Sequence, residues 1–151
     1  MDKFKVLLVD DEEEFVKSLS ERLQIRELDA DAAFDGEQAL QLVSDEVPDV
    51  MVLDLRMPGI DGMEVLRRVK KKYPEVQVVI LTGHGTDKDE TQARKLGAFA
   101  YLQKPVDLDT LVETLKRAYR NKLENTMAAA AFAEAGEFDS AREMIKDNKK
   151  K

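Results

Sequence analysis

Val50-Met51-Val52-Leu53 runs without a polar residue straight into Asp54. Four consecutive apolar side chains with no alternation suit a strand buried on both faces, as in a parallel sheet covered by helices. Three other runs repeat the pattern. Val6-Leu7-Leu8-Val9 ends at Asp10-Asp11, Val78-Val79-Ile80-Leu81 at Thr82, and Ala100-Tyr101-Leu102-Gln103 at Lys104-Pro105. In a parallel sheet these ends open on one edge, where open α/β proteins hold their ligands. Carboxylates, a hydroxyl and an ammonium from distant parts of the chain then converge on a single pocket.

The segments between the runs have helical period. Phe15, Leu19 and Leu23 recur at i, i+4 and i+8, which places them on one helical face. A weaker strand is expected near 29–34, then a turn at Asp35-Gly36 and a helix over 36–44 with Ala39, Leu40 and Val43 inward. Pro58-Gly59 and Asp61-Gly62 bracket a loop. A helix over 63–73 follows, with Leu66, Val69 and Tyr73 on one stripe, and Pro74 closes it. Residues 76–81 read as the fourth strand, 89–96 as a short helix capped by Gly97, and 98–102 as the fifth strand. Leu108, Leu111, Val112, Leu115 and Tyr119 form the clearest helical stripe in the chain. Five strands alternating with five helices imply right-handed crossovers and an α/β sheet covered on both faces.

The composition of residues 123–151 differs. Ala128 to Ala131 and Ala133 suggest an alanine-rich helix, Gly136 breaks it, and Asp139 could cap a second helix through Met144, with fraying at Lys149 to Lys151. A helical hairpin of this size cannot bury a core alone. Its centre is similar to the turn of a tetratricopeptide-like hairpin, covering half of one repeat at most. Phe132, Phe138, Met144 and Ile145 need cover from the main domain, a second copy or a partner.

The chain has 151 residues, a net charge of -7 and no cysteine. An acidic balance argues against non-specific nucleic-acid binding, which needs a basic face. Disulfides and thiolate metal sites are excluded. No apolar run approaches the roughly twenty residues that span a bilayer, so membrane insertion is not expected. The first residues move directly into a strand, so no signal peptide is expected and the expected setting is cytoplasmic.

Asp10, Asp11 and Asp54 offer the hard oxygen ligands that Mg²⁺ prefers. Such a carboxylate can act as a nucleophile and become an aspartyl phosphate. Asp54, at the end of the middle strand, is the best candidate. Phosphoryl transfer needs cations around the equatorial oxygens. Mg²⁺ and Lys104 would supply them, and the Thr82 hydroxyl could bond a further oxygen. Pro105 would hold the lysine's loop rigid, with a cis bond as one route.

Val9-Asp10-Asp11, Asp54 with Met57-Pro58-Gly59-Ile60-Asp61-Gly62, Thr82-Gly83, and Tyr101-Leu102-Gln103-Lys104-Pro105 together resemble the receiver domain of bacterial two-component response regulators. The resemblance covers residues 1–122 and leaves 123–151 as a helical extension. It implies a flavodoxin-like (βα)5 fold with strand order 2-1-3-4-5. It implies that a sensor histidine kinase, or a histidine phosphotransfer protein, donates a phosphoryl group to Asp54. Asp10 or Asp11, Asp54 and the backbone carbonyl of Arg56 would bind Mg²⁺, and Thr82, Gly83 and Lys104 would contact the phosphoryl group. Thr82 and Tyr101 would form the switch, read out on the surface of helix 4, strand 5 and helix 5 by a downstream protein target. That surface or the C-terminal hairpin could also support a homodimer.

Arg56 and His84 stand two residues after the acceptor and the threonine, where they would flank an attacking water. Slow self-dephosphorylation is therefore expected. Such a protein is a signalling switch rather than an enzyme. A phosphorelay intermediate is the nearest alternative, and a receiver-like module that is never phosphorylated is another. A haloacid-dehalogenase-type phosphatase fits less well, since its second aspartate falls where this chain has Arg56. A flavin carrier fits less well too, since Asp10-Asp11-Glu12 would repel the flavin phosphate.

Overall fold

A computed structural model describes residues 3–134 of the chain. Ten elements alternate strictly: β1 Lys5–Val9, α1 Glu13–Ile25, β2 Asp29–Ala33, α2 Gly36–Asp45, β3 Val50–Leu53, α3 Gly62–Lys72, β4 Gln77–Thr82, α4 Asp87–Lys95, β5 Ala100–Gln103 and α5 Leu108–Glu134. All strand pairs are parallel, in the order β2-β1-β3-β4-β5. This is the expected doubly wound, flavodoxin-like sheet.

The apolar runs hide a period of two that the fold separates into two cores. Leu7, Val9, Met51, Leu53, Val78 and Ile80 face α2, α3 and α4, meeting Val43, Leu66 and Ala93. Val6, Leu8, Val50, Val52, Val79 and Leu81 face α1 and α5, meeting Val16, Leu23, Leu111 and Leu115. Every central-strand side chain is thus used by one helical layer or the other. The chain reverses its winding between β1 and β3, which leaves a crevice at the carboxyl end of the sheet.

Helix ends follow local chemistry. Asp35 and Asp61 cap α2 and α3 by accepting the backbone N–H of Gln38 and Glu64. α4 starts two residues before the expected position, because Thr86 and Asp89 form a reciprocal capping box around its first turn. Gly97 follows α4 with φ +106°, a left-handed conformation in which glycine carries no Cβ penalty. β4 and β5 each sit one or two residues later than expected, ending at Thr82 and Gln103.

Two packing details depart from the expected stripes. In α1, Val16 and Leu23 are buried, whereas Phe15 lies in the first turn at the sheet edge and stays 37% exposed. In α5, Leu111, Val112, Leu115 and Ala118 form the buried stripe, and Tyr119 stacks on Phe4 with ring centroids 4.4 Å apart. α5 also continues unbroken past residue 122 to Glu134, so the alanine-rich segment starts as more of the same helix. The Gly136 break, the Asp139-capped helix and the frayed lysines lie outside the described residues. So do the side chains of Phe132, Phe138, Met144 and Ile145.

Gly62 matters most to the positioning of the crevice. A Cβ there would lie 2.1 Å from the carbonyl oxygen of Asp54 and 2.6 Å from Leu55 Cα, both rigid backbone. The first turn of α3 can close over the end of β3 only because that position has no side chain. Gly62→Ala is expected to lower stability by about 2–3 kcal/mol through overpacking. Urea denaturation would show this as a lower midpoint with an unchanged slope.

Candidate functional site

Four of the predicted site residues stand at the carboxyl edge of the sheet. Asp10 follows β1, Asp54 follows β3, Thr82 ends β4, and Lys104 follows β5. Asp10 and Asp54 are 5% and 4% exposed, and Thr82 is fully buried. The Lys104 ammonium lies 2.5 Å from Asp10 Oδ2, 3.4 Å from Asp54 Oδ2 and 3.5 Å from Glu12 Oε1. Backbone donors hold the other carboxylate oxygens. Glu12 N–H donates to Asp10 Oδ1 at 3.0 Å, and Arg56 N–H donates to Asp54 Oδ1 at 3.2 Å.

Lys104 is placed from three directions. Its N–H donates to the Thr82 carbonyl at 2.9 Å, tying its loop to β4. The Lys104-Pro105 peptide is cis. Its ammonium also sits 4.7 Å from the centroid of the Phe15 ring, which explains why that aromatic stays at the edge. Beside it, between α1 and α5, lies an apolar recess of about 320 Å³ bordered by Phe15, Leu19, Pro105 and Leu108.

Two buried carboxylates face one ammonium, so negative charge is in excess. Burial pushes the Asp10 carboxyl above its ordinary pKa and outweighs the Lys104 hydrogen bond, with the Asp54 charge adding to the rise. Burial works against the Lys104 charge too. The hydrogen bond and charge of Asp10, backed by Asp54 and Glu12, outweigh it and raise the ammonium's pKa.

The carboxylates of Asp10, Glu12 and Asp54 each bring an oxygen within 4.8 Å of the others. Three hard oxygen donors at that spacing fit a hard divalent cation such as Mg²⁺. Glu12 is the member that sequence reasoning missed; the only signal was its place in the Asp10-Asp11-Glu12 run. Asp11, also expected as a ligand, is exposed and stands outside this cluster.

The expected switch pair is adjacent. Tyr101 is 9% exposed, and its hydroxyl is buried with no hydrogen-bond partner. A Cβ on Gly85 would lie 1.6 Å from that oxygen and 2.9 Å from Thr82 Cγ2. The missing side chain at Gly85 therefore makes the room that the inward ring occupies. A Cβ on Gly83 would meet the Lys104 side chain at 3.8 Å, which puts this residue beside the ammonium's stem. His84 donates its backbone N–H to Thr82 Oγ1 at 3.4 Å. Arg56 does not stand alone beside Asp54: its guanidinium reaches Asp89 on α4 at 3.0 Å.

The family description "Response regulator receiver domain" matches residues 6–116. The chain belongs to that family. It is 36% identical over 136 residues to the C4-dicarboxylate transport transcriptional regulatory protein DctD of Pseudomonas aeruginosa, covering 88% of this chain and 29% of that one. It is 33% identical over 114 residues to the regulatory protein AtoC of Escherichia coli, covering 76% and 25%. The receiver thus spans under a third of those curated relatives. Among solved structures, NtrX from Brucella abortus superposes with a TM-score of 0.82 at 27% identity, covering 89% of this chain and 30% of that chain. A receiver domain protein from Clostridium thermocellum superposes with a TM-score of 0.75 at 34% identity, covering 79% and 96%. Among the described residues of the receiver, no helix is long and apolar enough to cross a membrane.

Two outcomes are expected from this geometry. In metal-free solution at neutral pH, Lys104→Met is expected to cost about 2–4 kcal/mol, since two buried carboxylates lose their counter-charge. The raised Asp10 pKa means that acidification protonates Asp10 before an ordinary aspartate. The deficit relative to the parent should therefore narrow as pH falls, as chemical denaturation at several pH values would show. Tyr101→Phe is expected to raise stability by about 1 kcal/mol, because it removes a buried hydroxyl that has no partner. A lower denaturation midpoint in that variant would show that the hydroxyl is satisfied in solution.

Proposed function

We propose that this receiver takes a phosphoryl group onto Asp54 from the phosphohistidine of a sensor histidine kinase or a histidine phosphotransfer protein. One observation carries the reading: a buried aspartate at the end of the middle strand faces an ammonium at 3.4 Å and shares it with a second buried carboxylate. A carboxylate in that setting is oriented, dry and flanked by the positive charge that phosphoryl oxygens require.

An Asp54 carboxylate oxygen forms a bond to phosphorus as the phosphorus–nitrogen bond of the donor breaks. The bonding pair returns to the imidazole nitrogen, and a proton from solvent neutralises it. Lys104 neutralises charge on one phosphoryl oxygen, Thr82 Oγ1 donates to a second, and Gly83 offers its N–H nearby. Asp10, Glu12 and Asp54 would hold Mg²⁺, with Asp11 and the Arg56 carbonyl as the further ligands that the family resemblance implies. When bound, the cation neutralises the remaining oxygens and offsets the excess of carboxylate charge. Water later cleaves the acyl phosphate, regenerating the Asp54 carboxylate and releasing inorganic phosphate. Arg56 and His84 would slow that step by flanking the water's path.

The output follows from Thr82. When its hydroxyl moves to a phosphoryl oxygen, it pulls on the loop above Tyr101, and the ring's packing under Gly85 changes with it. The surface of α4, β5 and α5 would then bind a downstream protein target or a second copy. The apolar recess between α1 and α5 lies beside Lys104, where a helix bearing the donor histidine must approach. The same approach would serve a phosphorelay intermediate, which returns the group to another histidine. In this reading the receiver is a cytoplasmic signalling switch rather than an enzyme acting on a separate substrate.

Intact-mass spectrometry after incubation with Mg²⁺ and a small acyl-phosphate donor tests the acceptor. A phosphoryl-sized gain is expected in the parent and not in Asp54→Asn. A parent that gains nothing from that donor or from a phosphorylated histidine kinase would overturn the reading in favour of a phosphorylation-independent binding module.

A further inference from the structure

Arg56 touches the acceptor at one end and α4 at the other. Its backbone N–H donates to Asp54 Oδ1 at 3.2 Å, and its guanidinium donates to Asp89 Oδ2 at 3.0 Å. Asp89 is the third residue of α4 and half of its capping box. The same Asp89 Oδ2 accepts the Thr86 N–H at 3.1 Å, while Thr86 Oγ1 accepts the Asp89 N–H at 3.1 Å. The first turn of α4 is therefore closed by its own cap and pinned from outside by Arg56. The Asp89 side chain is largely covered, at 20% exposure, and that of Arg56 is more open, at 56%.

We propose that Arg56 is a second link between Asp54 and α4, one that changes partner when Asp54 is phosphorylated. In the resting protein the guanidinium pins the first turn of α4 through Asp89. With a phosphoryl group on Asp54, the guanidinium turns to the phosphoryl oxygens and releases Asp89. The inference rests on Asp54 being the acceptor, and it adds a route to α4 that does not pass through Thr82 and Tyr101.

Three features favour the exchange. A phosphoryl group carries a charge of roughly -1.5 to -2, against a single carboxylate charge on Asp89 that the Thr86 N–H already shares. The planar guanidinium matches phosphate oxygens with two parallel hydrogen bonds. The ion pair being given up is partly exposed, and such a pair shifts an equilibrium by about fivefold at most. Arg56 thus acts as a positioning residue: it sets the state of α4 without taking part in bond making.

Amide hydrogen exchange of Asp89 and Glu90 in the full chain tests this, read by NMR with Mg²⁺, with and without beryllofluoride as the phosphoryl mimic. In the parent, beryllofluoride is expected to speed exchange at both amides about two- to fivefold. Arg56→Ala should exchange at the faster rate already at rest and gain little more from the mimic. Arg56→Lys, which keeps the charge, should restore part of the resting protection. Equal resting rates in the parent and Arg56→Ala, or an equal response of the two to the mimic, would overturn the link. Beryllofluoride shifts at Asp54 and Thr82 with Asp89 and Glu90 unmoved would overturn it while sparing Asp54 as the acceptor. A parent with no beryllofluoride shifts at all would overturn both.

Discussion

Two buried carboxylates share a single ammonium at the carboxyl edge of the sheet, and the rest of the structure is arranged around keeping them together. Asp10, Asp54 and Lys104 come from three strands spread over most of the chain, and each is costly to bury without the others. Removing two carboxylates from water is offset only in part by one lysine. The raised pKa of Asp10 expresses that shortfall. A site left with surplus negative charge is primed for added positive charge, which is what a divalent cation brings. In the proposed reading, the same imbalance that makes the cluster expensive in folding would favour a bound cation and, with it, a phosphoryl group.

Holding such a cluster in place requires a scaffold that does not relax around it. Every apolar side chain in β1, β3 and β4 is claimed by one of the two helical layers, so the strand ends cannot slide without opening a core. Gly62 lets α3 start directly against the Asp54 carbonyl, and Gly85 lets Tyr101 lie inward beside Thr82. Both glycines work by what they lack, since in each case a neighbouring group occupies the space of a side chain. Close packing at Asp54 and the inward placement of Tyr101 thus rest on the same device.

Much of this was legible in the sequence. Apolar runs ending in Asp10, Asp54, Thr82 and Lys104 carry strand burial and active-edge position in one pattern, because a parallel sheet converts strand ends into neighbours. What stayed hidden depended on side-chain direction. Phe15 fits the helical stripe by spacing, yet the first turn of α1 extends past the sheet, so the ring covers Lys104 instead of entering the core. Asp11 and Glu12 cannot be told apart as cluster members by composition, since the turn after β1 decides which carboxylate faces Asp54. The hydrophobic period puts the start of α4 two residues late, because it cannot register a polar first turn held by Thr86 and Asp89.

That polar first turn also bears on how the site can speak to the surface. α4 buries only Ala93 among its nine residues, so little apolar packing fixes it to the sheet. A helix held that lightly takes its position from its ends: the Thr86 cap, the Arg56 ion pair, and the loop from Thr82 to Gly85 that lies over Tyr101. Arg56 follows Asp54 by two residues, and Thr82 ends β4, the strand paired with β3. In the proposed reading, charge added at Asp54 would compete for Arg56 and draw on Thr82 together, so both attachments would weaken for one reason. By contrast, α3 buries Val65, Leu66 and Val69 and is locked against β3 by Gly62. The neighbouring helices thus differ in how they are held, and in the proposed reading that difference would direct a local change in charge toward α4.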